Sequence, residues 1–151
     1  MIIWFTGQPQ SGKTTLATKL AHKIPFFKLA GFIDGDVLRE KYNNYDYSED
    51  GRKKNMALAQ SLASQADSPN KVILVAMVSP YRDQREIFKS FNDVKEIYLH
   101  SDRESPHKVS NYEPPLKNYL DLDTSKLTED ECLEKIREFC SLSWEEPLQF
   151  V

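Results

Sequence analysis

The sequence feature that most constrains the fold is the run GQPQSGKT at residues 7–14, which fits the pattern G-x-x-x-x-G-K-[ST]. An apolar run of strand length at residues 2–5 precedes it, and a helical pattern at residues 13–24 follows it. The order strand, loop, helix N-terminus forms an anion site, because unpaired backbone N–H groups and the helix dipole attract negative charge. The sequence therefore predicts a loop that cradles phosphate groups.

The residue types in this loop suit that role. Gly7 and Gly12 permit backbone angles and a close approach that a side chain would block. Lys13 places a positive charge on β- and γ-phosphates, and the Thr14 hydroxyl is a ligand for Mg²⁺. The alternative interpretation is a glycine-rich turn that precedes a helix by chance.

Composition limits the class of protein. A chain of 151 residues is most simply one domain, here residues 1–151, with room for a buried core. The 20 basic and 23 acidic residues give a formal net charge of −3, which argues against a nucleic-acid binder with a basic face. No apolar run reaches the roughly 18 residues of a membrane span. With no secretory signal and two thiols expected to be reduced, Cys132 and Cys140, we expect a cytoplasmic enzyme.

Strand patterns alternate with helix patterns along the rest of the chain. We predict strands at residues 2–5, 32–34, 72–78, 94–99 and 119–122. We predict helices at residues 13–24, through Val37, Leu38 and Lys41 after the D-G-D run, at 49–66 after an N-cap at Ser48, at 82–91, and from a capping box at Thr128 to Cys140. This order implies a doubly wound parallel α/β sheet of about five strands with helices on both faces. Residues 26–29 fit a short strand or an apolar connection equally well, and the tail from Ser143 receives no assignment.

Loops that follow parallel strands lie along one edge of the sheet, where ligands bind. Asp34 and Asp36 follow the second strand. Phosphoryl transfer to an alcohol needs a group that accepts the hydroxyl proton and carboxylates that hold Mg²⁺ or its waters. This pair is a candidate for both tasks, although D-G-D is also common turn chemistry.

Further candidates lie nearby in the predicted fold. Arg39, Arg52 and Asn55 are candidates for binding an anionic acceptor, and Tyr47 for stacking on a base. Ser79 follows the third strand, and the helix after it offers Arg82 and Arg85 to stabilise phosphate charge. A solvent-facing helix surface is the alternative for the first three, simple packing is the alternative for Tyr47, and Arg82 could equally pair with Glu86 four residues along.

These segments together resemble the adenylylsulfate kinases, P-loop enzymes that phosphorylate the 3′-hydroxyl of adenosine 5′-phosphosulfate with Mg-ATP. The resemblance rests on GQPQSGKTTLA (7–17), IDGDVLR (33–39), YSEDGRKKN (47–55), VSPYRDQR (78–85) and NYEPP with LDT (111–124). It implies a P-loop kinase fold and an ATP site made by Gly7, Gln8, Pro9, Gln10, Ser11, Gly12, Lys13, Thr14 and Thr15. It implies catalytic roles for Lys13, Asp34, Asp36 and Ser79, and Mg²⁺ ligation by Thr14 and Asp34.

The same resemblance implies a nucleotide acceptor bound by Asp36, Arg39, Tyr47, Arg52, Asn55, Val78, Ser79 and Arg82. Some descriptions of the family assign a phosphoserine intermediate to the serine matched by Ser79, whereas we favour direct in-line transfer. We expect no membrane partner, and the oligomeric state, a homodimer being one option, stays open.

The chain departs from the family pattern in two places. Gln10 stands where the family usually has glycine, and residues 100–110 replace a much longer lid, of which Arg103, His107 and Lys108 are the basic remainder. A lid excludes water and completes a site, so its shortening leaves the acceptor open. A cytidine diphosphate derivative and a hydroxymethyl pyrimidine nucleotide are alternative acceptors. Two functions of a different class also stay open: a GTPase-like switch, which lacks its N-K-x-D motif here, and a non-catalytic nucleotide-binding domain.

Overall fold

The computed structural model describes residues 1–144. Its strands are β1 (Ile2–Thr6), β2 (Leu29–Asp34), β3 (Val72–Ala76), β4 (Val94–His100) and β5 (Tyr119–Asp123). Its helices are α1 (Lys13–Lys23), α2 (Gly35–Lys41), α3 (Glu49–Ala66), α4 (Arg82–Phe91) and α5 (Glu129–Cys140). The tail from Ser143, which received no assignment from the sequence, lies mostly outside the described residues.

The five strands form one parallel sheet in the order β2-β3-β1-β4-β5. Strand β1 is central, with Phe5 opposite Ala76 of β3 on one side and Ile97 of β4 on the other. All five residues of β1 and of β3 are buried, as expected for strands covered on both faces. The predicted fold class, a doubly wound parallel α/β sheet, is therefore confirmed.

Apolar side chains pack on both faces of the sheet. On one face, α1 and α5 contribute Leu16, Leu20, Leu133 and Ile136 to a buried cluster. On the other face, α2 and α3 contribute Leu38, Met56, Ala59 and Ala63. The two layers fix the strand ends, and therefore the loops that follow β1, β2 and β3.

Local capping explains why several helices begin where the sequence predicts. The Ser48 side chain accepts a hydrogen bond from the Gly51 N–H at the start of α3. Thr128 and Glu131 form the predicted capping box of α5. Each cap satisfies backbone N–H groups that the first helical turn leaves without a partner.

Several helix and strand ends differ from the predictions by one residue, and three features differ by more. Residues 26–28, for which the sequence allowed two readings, form a short 3₁₀ helix (Phe26–Lys28), and β2 begins already at Leu29. Strand β3 ends at Ala76, two residues early, because the Val78 carbonyl accepts a hydrogen bond from the Thr6 hydroxyl, at 2.8 Å, and Ser79 has φ +51°. None of the helices in residues 1–144 is long and apolar enough to cross a membrane.

Candidate active site

The phosphate loop lies between β1 and α1, as predicted. Gly7 has φ +152° and a Cβ there would overlap the Leu99 carbonyl oxygen, so a side chain has no room. Gly12 has φ +99° and Gln10 has φ +64°, both in the left-handed region. Gln10 therefore has the backbone conformation for which glycine is favoured. Because Gln10 has a side chain, this conformation is strained.

The side chain of Lys13 is almost completely buried beside this loop. Its Nζ donates hydrogen bonds to the Gln8 carbonyl at 2.7 Å and to Ser11 Oγ at 3.4 Å, and the residue is 8% exposed. Burial lowers the pKa of Lys13 from 10.5 to about 8, against the opposing influence of Asp36 and Asp34. The ammonium group is thus held in a site that an anion would stabilise.

Asp34 links the phosphate loop to α2. Its Oδ2 accepts a hydrogen bond from the Thr14 hydroxyl at 2.7 Å, and its Oδ1 accepts from the N–H groups of Asp36 and Val37 at 2.9 and 3.3 Å. D-G-D is therefore a helix N-cap rather than the alternative turn. A hydroxyl and a carboxylate side by side suit Mg²⁺, which takes few protein ligands and completes its shell with phosphate and water. No cluster of three or more His, Cys, Asp or Glu side chains in residues 1–144 offers a self-contained metal cage.

Asp36 lies in the first turn of α2 with its side chain exposed. It is the larger source of the charge that opposes the lowered pKa of Lys13, so its carboxylate lies near that ammonium group. Within residues 1–144 its carboxylate makes no hydrogen bond to the protein, whereas both oxygens of Asp34 do. A carboxylate in this position is available to accept a proton from a ligand.

One cavity of about 760 Å³ collects most of the predicted site. Its walls include the phosphate loop, both aspartates, residues of α2 and α3, the end of β3 and two residues of the shortened segment. The predicted residues in these walls are Pro9, Gln10, Gly12, Lys13, Thr14, Thr15, Asp34, Asp36, Arg39, Tyr47, Arg52, Asn55, Val78 and Ser79. The predicted residues Gly7, Gln8, Ser11 and Arg82 lie outside this lining.

Another part of the cavity wall is centred on Tyr47. The guanidinium carbons of Arg39 and Arg52 lie 4.2 and 5.6 Å from its ring centroid. Arg39 donates to the carbonyls of Asn44 and Asp46, each at 3.0 Å, and Arg52 Nε donates to the Tyr47 carbonyl at 2.9 Å. Each arginine therefore uses part of its fork on the loop before α3 and leaves other donors for a ligand.

Asn55 offers a clear signal for a ligand. It is 4% exposed and its Nδ2 donates to the Gly35 carbonyl at 3.3 Å. Its Oδ1 is buried and has no partner in the part of the chain that the structure describes. A buried acceptor without a donor is costly, so this atom suits a hydrogen-bond donor on a bound molecule.

Ser79 reaches the cavity wall but its hydroxyl is already engaged. Its Oγ accepts from Trp4 Nε1 at 2.8 Å and donates to the Met77 carbonyl at 3.2 Å, and the residue is 1% exposed. Its left-handed backbone is held by Arg85, which donates to the Ser79 carbonyl at 2.7 Å. These contacts give Ser79 a structural function at the end of β3.

The two arginines of α4 do not join the cavity. Arg85 is 3% exposed and donates to Glu96 Oε2 at 2.9 Å, to the Ser79 carbonyl and to the Glu113 carbonyl at 2.6 Å. The expectation that Arg85 stabilises phosphate charge is corrected, since all three guanidinium nitrogens are engaged. Arg82 donates from Nε to the Pro114 carbonyl at 2.8 Å, outside the cavity lining.

A second hollow of about 820 Å³ adjoins the phosphate loop on the side of β4 and β5. It shares Gln10, Gly12 and Thr15 with the first cavity, and its other walls include Asp102, Arg103, Thr124, Ser125, Leu127 and Glu129. Of the three basic residues left in the shortened segment, Arg103 faces this hollow, whereas His107 and Lys108 line the first cavity. Sequence reasoning did not assign this hollow, although its position after β5 at the sheet edge was a usable signal.

Comparisons with known proteins agree with this geometry. Adenylyl-sulfate kinase from Chloroflexus aurantiacus is 29% identical over 163 residues, covering 90% of this chain and 86% of that protein. Adenylyl-sulfate kinase from Prochlorococcus marinus is 30% identical, with coverages of 90% and 81%. The APS kinase of Mycobacterium tuberculosis, solved in complex with AMPPNP and APS, shares the fold with a TM-score of 0.80 at 21% identity, over 93% of this chain and 97% of that one.

The family model described as adenylylsulphate kinase matches residues 1–113, three quarters of the chain. That match includes the phosphate loop, both aspartates and the wall around Tyr47. The chain therefore belongs to the adenylylsulphate kinase family, and it is an ATP- and Mg²⁺-dependent phosphotransferase that acts on a hydroxyl group.

Proposed function

We propose that this protein transfers the γ-phosphoryl group of Mg-ATP to the 3′-hydroxyl of adenosine 5′-phosphosulfate or of a similar nucleotide. The observation that carries the proposal is one cavity whose walls include Lys13 and Asp36 together with Arg39, Tyr47 and Arg52. Two substrates with phosphate or sulfate groups and flat bases need cationic donors and an aromatic surface, and this cavity offers both.

Each residue near the phosphate loop takes one role in this proposal. The backbone of the loop and Lys13 hold the β- and γ-phosphates. Thr14 and Asp34 would hold Mg²⁺, which would supply positive charge to the phosphates of ATP. The Asn55 Oδ1 and the two arginines hold the acceptor, so that its hydroxyl points to Asp36.

In the transfer step, the acceptor oxygen bonds to the γ-phosphorus while the bond from that phosphorus to the β–γ bridging oxygen of ATP breaks. The proton of the acceptor hydroxyl passes to the Asp36 carboxylate, which is exposed to the cavity. We propose direct transfer rather than a phosphoserine intermediate, because the Ser79 hydroxyl would first have to leave both Trp4 and the Met77 carbonyl.

A kinase that acts on another hydroxyl is the second candidate. It is favoured by the short segment over the first cavity, which contributes two basic residues, His107 and Lys108, to the walls. Acceptors such as a cytidine diphosphate derivative or a hydroxymethyl pyrimidine nucleotide fit the same phosphoryl transfer. A non-catalytic binding domain is disfavoured, because Lys13, Thr14, Asp34 and Asp36 keep a working arrangement.

The experiment that tests the proposal measures ADP release with Mg-ATP and a panel of acceptors from these three classes. We expect adenosine 5′-phosphosulfate to give the highest kcat/KM. Lys13→Ala should abolish turnover, and Asp36→Asn should leave ATP affinity nearly unchanged while it lowers kcat by about 10²- to 10⁴-fold. Asp83→Asn, on the exposed start of α4, is the matched control and should behave like the wild type. An unchanged kcat for Asp36→Asn would reject the assignment of the base.

A cytoplasmic location goes with this function, and the two cysteines support it. Cys132 and Cys140 are free and buried, and free thiols of this kind are typical of reducing compartments. The homodimer stays a prediction, and light scattering of the purified protein would measure it.

A further inference from the structure

Gln8 of the phosphate loop makes a pair of hydrogen bonds to a residue 101 positions away. Its Nε2 donates to the Val109 carbonyl at 2.8 Å, and its Oε1 accepts from the Val109 N–H at 2.8 Å. One side chain thus satisfies both backbone groups of Val109, as a neighbouring strand would. Val109 itself is 6% exposed, and both hydrogen bonds are partly buried.

The same segment is attached at a second point. The hydroxyls of Tyr112 and Thr6 share a hydrogen bond at 2.8 Å, and the Tyr112 ring stacks on Tyr98 at 5.9 Å between centroids. The Glu113 N–H donates to the Pro80 carbonyl at 2.9 Å. Residues 109–113 are therefore fixed to the ends of β1 and β3 and to the phosphate loop.

These attachments determine where two basic residues lie. His107 and Lys108 directly precede Val109, and both line the first cavity although their side chains are exposed. Ordering a residue costs about 1–2 kcal/mol of backbone entropy. Because the anchors order this segment on folding, that cost does not fall on ligand binding.

We propose that Gln8 is a positioning residue, which holds Lys108, with His107 beside it, as a fixed part of the wall of the acceptor cavity. The anionic acceptor is then enclosed without closure of a long lid. The identity of that acceptor rests on the proposed function, whereas the anchoring of the segment does not.

Hydrogen exchange of the unliganded protein tests the anchor. Gln8→Leu keeps much of the side-chain volume and removes both hydrogen bonds, so exchange in residues 103–112 should become roughly 10- to 100-fold faster. Gln8→Glu keeps an acceptor for the Val109 N–H but loses the donor, and should give an intermediate rate. Exchange in α1 should not change in either variant, which also shows that the fold is intact. Wild-type rates for residues 103–112 in both variants would overturn the proposal.

Affinity measurements test the link to Lys108. We would measure binding of adenosine 5′-phosphosulfate and of Mg-ATP by calorimetry for Gln8→Leu, Lys108→Ala and the double variant, so no turnover is needed. We expect each single variant to weaken binding of adenosine 5′-phosphosulfate by about 5- to 20-fold, with little further loss in the double variant. Gln65→Ala, an exposed glutamine of α3, is the control. If the affinity losses of the two single variants multiply in the double variant, Gln8 does not act through Lys108.

The two measurements separate failure of this inference from failure of the proposed function. If no acceptor is phosphorylated but exchange rises in Gln8→Leu, the anchor stands and the acceptor assignment fails. If an acceptor is phosphorylated and KM and kcat are both unaffected by Gln8→Leu, the anchor has no role in positioning. We expect instead that KM for the acceptor rises more than kcat falls.

Discussion

The pKa of Lys13 predicts that nucleotide binding weakens in mild alkali. Burial places this pKa at about 8 in the unliganded protein, against 10.5 for an ordinary lysine. The charged form is the one that phosphates stabilise, so above pH 8 the free protein must take up a proton when it binds Mg-ATP. The affinity should therefore fall by about tenfold at pH 9 and about a hundredfold at pH 10, relative to pH 7.

The stability of the unliganded protein should respond with the opposite sign. The native pKa is lower than the unfolded one, so the unfolded chain binds more protons between pH 8 and 10.5 and stability rises with pH there. The difference between 10.5 and about 8 corresponds to a gain of about 3 kcal/mol from Lys13. Burial raises the pKa of Cys140 from 9.0 to about 12, and it also raises the pKa values of Cys132, Tyr98 and Tyr112. These groups make the stability fall as the pH rises above their unfolded values, so the Lys13 contribution is measured between about pH 8 and 9.

Calorimetry from pH 7 to 10 in buffers of different ionisation heat measures both the affinity and the proton uptake. We expect uptake of about 0.9 proton per Mg-ATP at pH 9 and almost none at pH 7. Lys13→Arg is the matched variant, because its guanidinium stays charged throughout this range and its affinity should be flat with pH. An equally flat wild-type profile with no proton uptake would refute the reasoning.

Two further substitutions test how the site is supported. Arg85→Met removes one of the two cationic partners of the buried Glu96. The free energy of unfolding, measured in urea, should therefore fall by about 3–5 kcal/mol. A loss under about 1 kcal/mol would show that the ion pair contributes little to stability. Gly51→Ala puts a Cβ against the Asp46 carbonyl and should cost about 1–3 kcal/mol while raising the acceptor KM, since it displaces the loop that carries Tyr47. An unchanged KM for this variant would contradict that coupling.

The sequence was sufficient wherever a local rule determines the structure. Helix α3 starts and ends as predicted, because the Ser48 cap and the apolar spacing of Met56, Ala59 and Ala63 both act within a few residues. The phosphate loop follows from its two glycines and flanking elements. The placement of Asp34 and Asp36 follows from the rule that parallel strands present their following loops at one edge.

Contacts between side chains far apart in the sequence could not be predicted from local patterns. Nothing in the pattern around Arg85 distinguishes a phosphate ligand from the partner of a buried carboxylate, and the Glu96 that decides the matter lies on another element. The bond pair between Gln8 and Val109 is of the same kind. A glutamine in a phosphate loop can bond to many different groups. The partner of Gln8 depends on the path of an irregular segment across the sheet edge, which the sequence does not reveal.

The sheet order adds a direction to the proposed reaction. Strand β1 is central, and the phosphate loop after it separates the hollow beside β4 and β5 from the cavity beside β2 and β3. In the proposed reaction, a nucleoside bound in the second hollow leads its phosphate chain across the loop, so that the γ-phosphorus lies on the side of Asp36. Tyr47 lines the first cavity, and the residues that precede the anchored Val109 place Arg103 at the second hollow and Lys108 at the first cavity. Under that proposal, a segment that borders both compartments and is held by Gln8 of the loop between them keeps the two substrates in line, which is the geometry that direct transfer requires.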